Sequence, residues 1–422
     1  MENIKLKYGS KYIDINVNNA KSIKYLYEKE IKAIENIKLE FNNSVNNPMD
    51  SPALKEIISA DDKITIIISD ITRFWMRQDI IISLLIDYLH NFGVSYDNIV
   101  IVVALGTHRH QTEEELKKLV TEEIYNKVKV INHDCDADDL VYLGETTRKT
   151  PVWVNKLAIN RKVITISGTV HHLMAGFGGG RKSILPGISS RTTINKNHIH
   201  ALSPEEPKSS SLIGVGNLEN NPINDDMNEA AAMVNPCFGI NIVTNSKTEH
   251  CNLICGKFEE SWQKSSDIIQ DYFGVEIENE ADIVIASCGG FPKDISLYQA
   301  TKTLFNANKC VKEGGTIIFI AECHEGGGAD EFFGWSKPLS NGTLDKDLRA
   351  DFTIAGYIFY AACEVTNRTN VLMLTDIDQH VVKDMKISAF KNIEELIKNV
   401  DFENKNVYVM PYGGNTVPFL KK

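Results

Sequence analysis

The chain is 422 residues long, more than one ordinary hydrophobic core accommodates, so two domains are expected. Hydrophobic residues make up 43% of it and charged residues 24%, a globular balance that excludes wholesale disorder. The formal net charge of −11 excludes a nucleic-acid partner, which would need a basic surface, and any anionic ligand must rely on a few local cations.

The opening MENIKLKYGSKYIDI has no apolar core followed by a small-residue cleavage site, so no signal peptide is read there. No apolar run approaches the roughly 20 residues of a membrane span. The eight cysteines contain no CxxC pair and read as reduced, mostly buried thiols. A cytoplasmic location with no membrane partner is expected.

Short apolar runs then alternate with amphipathic stretches. KITIIIS ends at Ser69; DIIISLLIDYLHNFG is a helix closing on Gly93; NIVIVVAL ends at Leu105. Thr112 and Glu115 form a capping box at the start of a helix. KVITISG reaches Gly168 and INIVTN reaches Asn245. Runs so rich in β-branched residues suit strands buried on both faces, hence a largely parallel sheet. FEESWQKSSDIIQDYFG reads as a helix bridging to a second block, which opens with ADIVIAS at Ala281. A helix from about Lys293 follows, then the strands GTIIFIAE, NVLMLTD and NVYVMP. The expected fold is α/β, with two domains, each a largely parallel sheet flanked by helices, and an active site in the cleft between them. The boundary is placed at 273/274, giving an N-terminal domain 1–273 with the cofactor site and a C-terminal domain 274–422 that closes over substrate.

Parallel α/β sheets bind ligands beyond the carboxyl ends of their strands. Past the first core strand stands Asp70-Ile71-Thr72-Arg73, past the second Gly106-Thr107-His108-Arg109-His110, and past the third the polar, glycine-rich segment Gly168–His198. Gly176, Gly178, Gly179 and Gly180 permit close backbone approach and can present N–H groups to a phosphate. Lys182 follows, but Arg181 occupies the place where a P-loop needs glycine, so that motif fails by one residue. His108, His110, His171, His172 and His198 lie in or beside these segments; several histidines on one rim suit acid/base work or metal ligation, while His110, His133, His200 and His250 are read as structural or solvated. No HExxH motif or carboxylate-rich ligand set accompanies them. In the second domain, Tyr298, Gln299 and Lys302 fall on one helix face, a place to hold a carboxylate.

These residues together resemble the lactate racemase family, whose members carry a nickel-pincer nucleotide. The matching text is Asp70-Ile71-Thr72-Arg73, Gly106-Thr107-His108, the stretch from His172 through the glycines and Lys182 to His198, Tyr298-Gln299-xx-Lys302, and the terminal PYGGNTVP. The resemblance implies a racemase or epimerase of a small, lactate-like 2-hydroxy acid, acting by proton-coupled hydride transfer. Its cofactors would be nickel and pyridinium-3,5-bisthiocarboxylic acid mononucleotide, the latter joined covalently to Lys182. His198 would be the protein ligand to nickel, and His108 and His172 the paired acid/base residues, each base in one direction and acid in the other. Asp70, Thr72 and Arg73 would hold cofactor and substrate, and Arg73, Tyr298, Gln299 and Lys302 would bind substrate. The implied partners are that substrate and the enzymes that build the cofactor. Two departures bear on which hydroxy acid is used: His171 stands where close members carry proline, and Phe74-Trp75-Met76 replaces a proline-containing stretch. Core packing is the expected place of Phe74 and Trp75. The competing readings are a zinc- or iron-dependent lyase or hydrolase acting on a small carboxylate, and a non-catalytic hydroxy-acid binding module.

Overall fold

The computed structural model describes residues 2–328 and 331–421 and divides the chain into two units. One comprises Glu30–His200 and Leu212–Asp271; the other draws on the stretches Met1–Lys29, Ala201–Ser211 and Tyr272–Lys422.

The first unit is built on β1 (Ile64–Ser69), β2 (Ile99–Ala104), β3 (Lys129–Asn132), β4 (Lys162–Gly168), β5 (Phe238–Thr244) and β6 (His250–Gly256). Their order across the sheet is β6-β5-β4-β1-β2-β3, parallel except where β6 runs against β5. Alternate residues of the inner strands (Ile64, Ile66 and Ile68; Ile99, Ile101 and Val103) enter one core, each contributing ~1.5–3 kcal/mol by its removal from water. Helix α1 (Gln78–Asn91) buries Ile81, Ile82, Leu85, Ile86 and Leu89, the single stripe that its sequence spacing dictates. From β1 the chain steps outward through β2 to β3, and from β4 it steps the other way to β5. The order therefore reverses between β1 and β4, and the connections leaving their carboxyl ends run to opposite sides, the place where such sheets bind ligands. Helices α2 (Arg191–His198), α3 (Pro222–Val234) and α4 (Phe258–Phe273) complete what the site needs.

The second unit holds β7 (Ala281–Ser287), β8 (Val311–Ile320), β9 (Asn370–Leu374), β10 (Ile387–Phe390) and β11 (Asn406–Met410), with helices α5 (Leu297–Asn308) and α6 (Ile354–Arg368). Its sheet is parallel throughout, in the order β10-β9-β8-β7-β11, and the strand Ser22–Tyr25 adds to the free edge of β11. The N-terminal hairpin, Glu2–Tyr8 with Lys11–Val17, sends Ile4, Leu6, Ile15 and Val17 into this unit's core. The expected domains 1–273 and 274–422 thus need a correction. The passage near Tyr272 is close to the boundary read from sequence, but the first 29 residues belong with the C-terminal sheet. Alternating Ile/Leu residues in so short a hairpin cannot form a core alone and are buried where β7 and β8 offer one. The helix read from Lys293 starts instead at Leu297, because Asp294 is drawn into the loop, where its carboxylate accepts the Gly9 amide at 2.7 Å. Among the described residues no helix is long and apolar enough to cross a membrane.

Candidate active site

The carboxyl end of β1 delivers Asp70, which caps the 3-10 turn Ile71–Met76. Its Oδ1 accepts the Thr72 amide at 3.1 Å and the Thr72 hydroxyl at 2.5 Å, while Oδ2 takes the Nδ1–H of His108, which stands beyond β2. Asp70 is only 3% exposed, whereas the His108 side chain is half exposed. Burial alone would push the Asp70 carboxyl up; the hydrogen bonds from His108 and Thr72 and the nearby Arg73 charge outweigh it and hold it below the usual range. The two loops are also tied by Gln111, whose Oε1 accepts the Ile71 amide at 3.2 Å and whose amide group donates to the Arg109 carbonyl at 2.9 Å. His108 is thus held through Nδ1, with a buried carboxylate behind it and Nε2 left for another partner. This pairing gives Asp70 a place behind His108. Thr72 and Arg73 stand exposed, Arg73 donating to the Thr72 hydroxyl at 3.0 Å.

The end of β4 leads into the short hairpin His171–His172/Gly176–Phe177. His172 Nδ1 accepts the amides of Met174 and Ala175, both at 3.2 Å. Burial, followed by the charges of Lys182, His198, Arg73 and Arg181, keeps His172 far below the ordinary histidine range. His171 turns away, to Gln270 Oε1 at 3.1 Å and the ring of Phe177. Phe74 and Trp75 pack against the Ile/Val core of the sheet, the place expected for them.

The glycine run behaves differently from the expectation of a phosphate nest. Gly178 donates its amide to the Val170 carbonyl at 2.7 Å and Gly180 to Ser167 Oγ at 2.9 Å, so these N–H groups are already used. What the glycines provide is closeness: a Cβ on Gly180 would lie 2.4 Å from Cγ of Trp262, and φ is +50° there. Arg181, 2% exposed, lies over the Trp262 ring at 3.7 Å. It donates to the carbonyls of Ala175 (2.7 Å) and Phe177 (3.2 Å) and to Asn224 Oδ1 (2.8 Å).

Lys182 follows directly. Among the described residues no hydrogen bond or ion pair engages its Nζ. Burial, then the guanidiniums of Arg181 and Arg73, bring its ammonium down to about 7. At the last turn of α2, His198 is 1% exposed and donates Nδ1–H to the Ile194 carbonyl at 2.9 Å. Burial and the Lys182 charge lower it to about 3, so the ring is neutral with its Nε2 lone pair unspent. His110 lies 3.9 Å from Asp134, His133 is buried against the Ser189 carbonyl, and His250 binds the Met76 carbonyl; these keep the structural or solvated places read for them.

The residues therefore bring together Asp70, Thr72, Arg73, His108, His172, Lys182 and His198 at the strand ends of one unit. Tyr298, Gln299 and Lys302 belong to α5 of the other, where Lys302 Nζ donates to Gln299 Oε1 at 2.9 Å. The donor set fits the implied cofactor. Among the described residues, three potential ligand atoms of His, Cys, Asp or Glu converge only at Asp134, Cys135 and Asp136. A metal at His198 must therefore bring most of its own ligands, as a pincer nucleotide does. Arg73 and Arg181 supply the local positive charge that an anionic nucleotide and a carboxylate need, against the chain's overall −11.

The pairing of Asp70 with His108, and the packing of Arg181 and Trp262 beneath the loop, carry almost no local sequence signal. The only available signal was the arginine standing where a P-loop has glycine.

The family model "Lactate racemase N-terminal domain" matches residues 8–209, and "Lactate racemase C-terminal domain" matches 277–417. The chain is 29% identical to a lactate racemase of Thermoanaerobacterium thermosaccharolyticum, over 99% of both chains. It is 34% identical to a lactate racemase of Lactiplantibacillus plantarum, over 69% of this chain and 67% of that one. In structure it is similar to the lactate racemase apoprotein from T. thermosaccharolyticum, with a TM-score of 0.86, 27% identity and full coverage of both chains. A Thermotoga maritima protein shares the fold at 19% identity, with a TM-score of 0.65 over 94% of this chain.

Proposed function

Because the chain belongs to the lactate racemase family, a family of isomerases, we propose that it racemises or epimerises a small 2-hydroxy acid, lactate being the parent substrate. The observation that carries this reading is the meeting, at one set of strand ends, of an unengaged Lys182 amine, a neutral buried His198 and a carboxylate-backed His108.

The proposed cofactor is the nickel-pincer nucleotide, which when bound supplies an electrophilic ring carbon able to hold the C2 hydrogen of the substrate as hydride. Lys182 is the proposed point of covalent attachment, its nucleophilic amine form available near neutral pH. His198 is the proposed protein ligand to nickel through Nε2, with Nδ1 fixed by the Ile194 carbonyl. Removing a C2 proton beside an anionic carboxylate is difficult, so a route that takes hydrogen with its electron pair suits this substrate class. The hydroxyl hydrogen must be handled at the same time, and that work falls to His108 and His172. Arg73 is the proposed cation for the carboxylate, with Tyr298, Gln299 and Lys302 as further substrate-binding groups. The enzymes that build the cofactor are the proposed partners. A cytoplasmic location is supported by eight free thiols.

The test is intact mass and metal content of protein produced together with the cofactor-building enzymes. Wild-type chain should carry a covalent addition and nickel. Lys182→Ala should lose the addition while remaining folded, and His198→Ala should lose more nickel than His110→Ala. No addition on the wild type, or an addition that survives Lys182→Ala, would sink the proposal.

A further inference from the structure

Next to His198 in sequence, the end of α2 meets α3 in a buried polar cluster that the candidate site does not use. Asp226 of α3 is fully buried, and its Oδ2 accepts the Thr150 hydroxyl at 2.8 Å and the Asn197 side-chain amide at 3.0 Å. Asn197 is fully buried too, and its Nδ2 also donates to the Ile223 carbonyl at 3.1 Å. Facing two acceptors, that end of the amide must be the nitrogen, so the other atom is the oxygen. Three atoms around this pair are left over: Asp226 Oδ1, Asn197 Oδ1 and Nε2 of His200 are buried and, among the described residues, have no hydrogen-bond partner. Of the charges that bear on the His200 ring, that of Asp226 is the strongest and Arg148 follows. Buried polar atoms almost always find a partner, so three beside one carboxylate point to a bound species.

Both oxygens can only accept, and an imidazole nitrogen without its hydrogen can only accept as well. A water molecule would answer the hydrogen bonds but not the charge. Asp226 is out of reach of bulk water, and its side-chain donors are the neutral Thr150 and Asn197. Arg148 is taken up by Asp225 at 3.2 Å. Asp226 is the fifth residue of α3, beyond the first turn in which a helix start favours negative charge. A carboxylate so placed needs a cation. One imidazole nitrogen beside two oxygens suits a divalent transition ion more than Ca2+ or Mg2+, which prefer oxygen alone. We propose that Asp226 Oδ1, Asn197 Oδ1 and His200 Nε2 hold a divalent transition ion of the Zn2+ type, tying the last turn of α2 to α3. Three protein ligands leave one tetrahedral position to water. The ion is separate from the proposed nickel, because His198 is not one of the three ligands. None of the three belongs to the proposed catalytic or cofactor set, so the ion's presence is independent of the racemase reading. Asn197 directly precedes His198, and the ion therefore also steadies the turn that carries the proposed nickel ligand.

The full chain, free of cofactor, stripped with a chelator and then given Zn2+, tests this. One Zn2+ per chain should survive desalting and raise the melting temperature, while Ca2+ should do neither. His198→Ala should keep the ion, as should Asp134→Asn, which disables the separate group of Asp134, Cys135 and Asp136. Asp226→Asn retains an oxygen for Thr150 and Asn197 but loses the charge, and it should lose the ion. If that variant fails to fold, His200→Ala, at the partly exposed ligand, should bind Zn2+ at least about tenfold more weakly. Anomalous scattering at the zinc edge should place the ion among the three ligand atoms. Absence of binding, or Zn2+ that is lost with His198→Ala or Asp134→Asn and kept by Asp226→Asn, would overturn the proposal. A density peak there without anomalous signal would overturn it too, since the occupant would then be water.

Discussion

An amine that is to form a covalent bond near neutral pH must shed a proton that an ordinary lysine keeps to ~10.4. Lys182 does so because burial and two neighbouring guanidiniums disfavour its charge, leaving it at about 7. The reactive amine is therefore scarce below pH 7 and predominates above it. In cofactor-free protein, modification of Lys182 by a small amine-directed reagent should therefore rise about tenfold between pH 6 and 8 and then level off. Peptide mass analysis would follow it against exposed lysines, whose reactivity keeps climbing. If Lys182 climbs with them, its environment does not depress it as described. Lys182 and His198 were legible as residues, since a cation after a glycine run and a histidine closing the same segment are patterns. Asp70 behind His108 was not, because 38 residues separate the pair and only the pairing of β1 with β2 brings their ends together.

The element that shapes the site is the segment from His171 to Lys182, where packing demands glycine at 176 and 180. Gly180→Ala would set a methyl against the root of the Trp262 side chain, at a left-handed backbone position. Overpacking of this kind costs ~1–3 kcal/mol. Urea unfolding should show that loss, and Trp262→Ala in the same chain should recover part of the steric term. An unchanged midpoint for Gly180→Ala would mean the contact between this loop and α4 is not the reason for the glycine. Among regular elements, the strands Ile64–Ser69, Ile99–Ala104 and Lys162–Gly168 were legible because continuous β-branched runs have few other uses. The capping box of Thr112 and Glu115 also forms as read. The hairpin at His171–Phe177 was not legible: four paired residues, one of them glycine, carry no periodicity.

For the molecule as a whole, the alternation of strands and helices gave the α/β class, and the sheets follow it. What composition could not show is that the chain's beginning returns to its end. The strand Ser22–Tyr25 pairs with Asn406–Met410 across almost the whole sequence, a contact that no local signal encodes. The chain's acidity was legible too, and so was its consequence, since the cations at the site are few and gathered rather than spread. On the proposed hydride route, the hydrogen on C2 leaves with its electron pair and stays out of the solvent pool. A substrate deuterated at C2, turned over by loaded protein in ordinary water, measures this most directly. Racemised product should then keep the label largely on carbon while its hydroxyl hydrogen exchanges freely. Rapid loss of the label to water, alongside full racemisation, would contradict it and point to proton abstraction at C2.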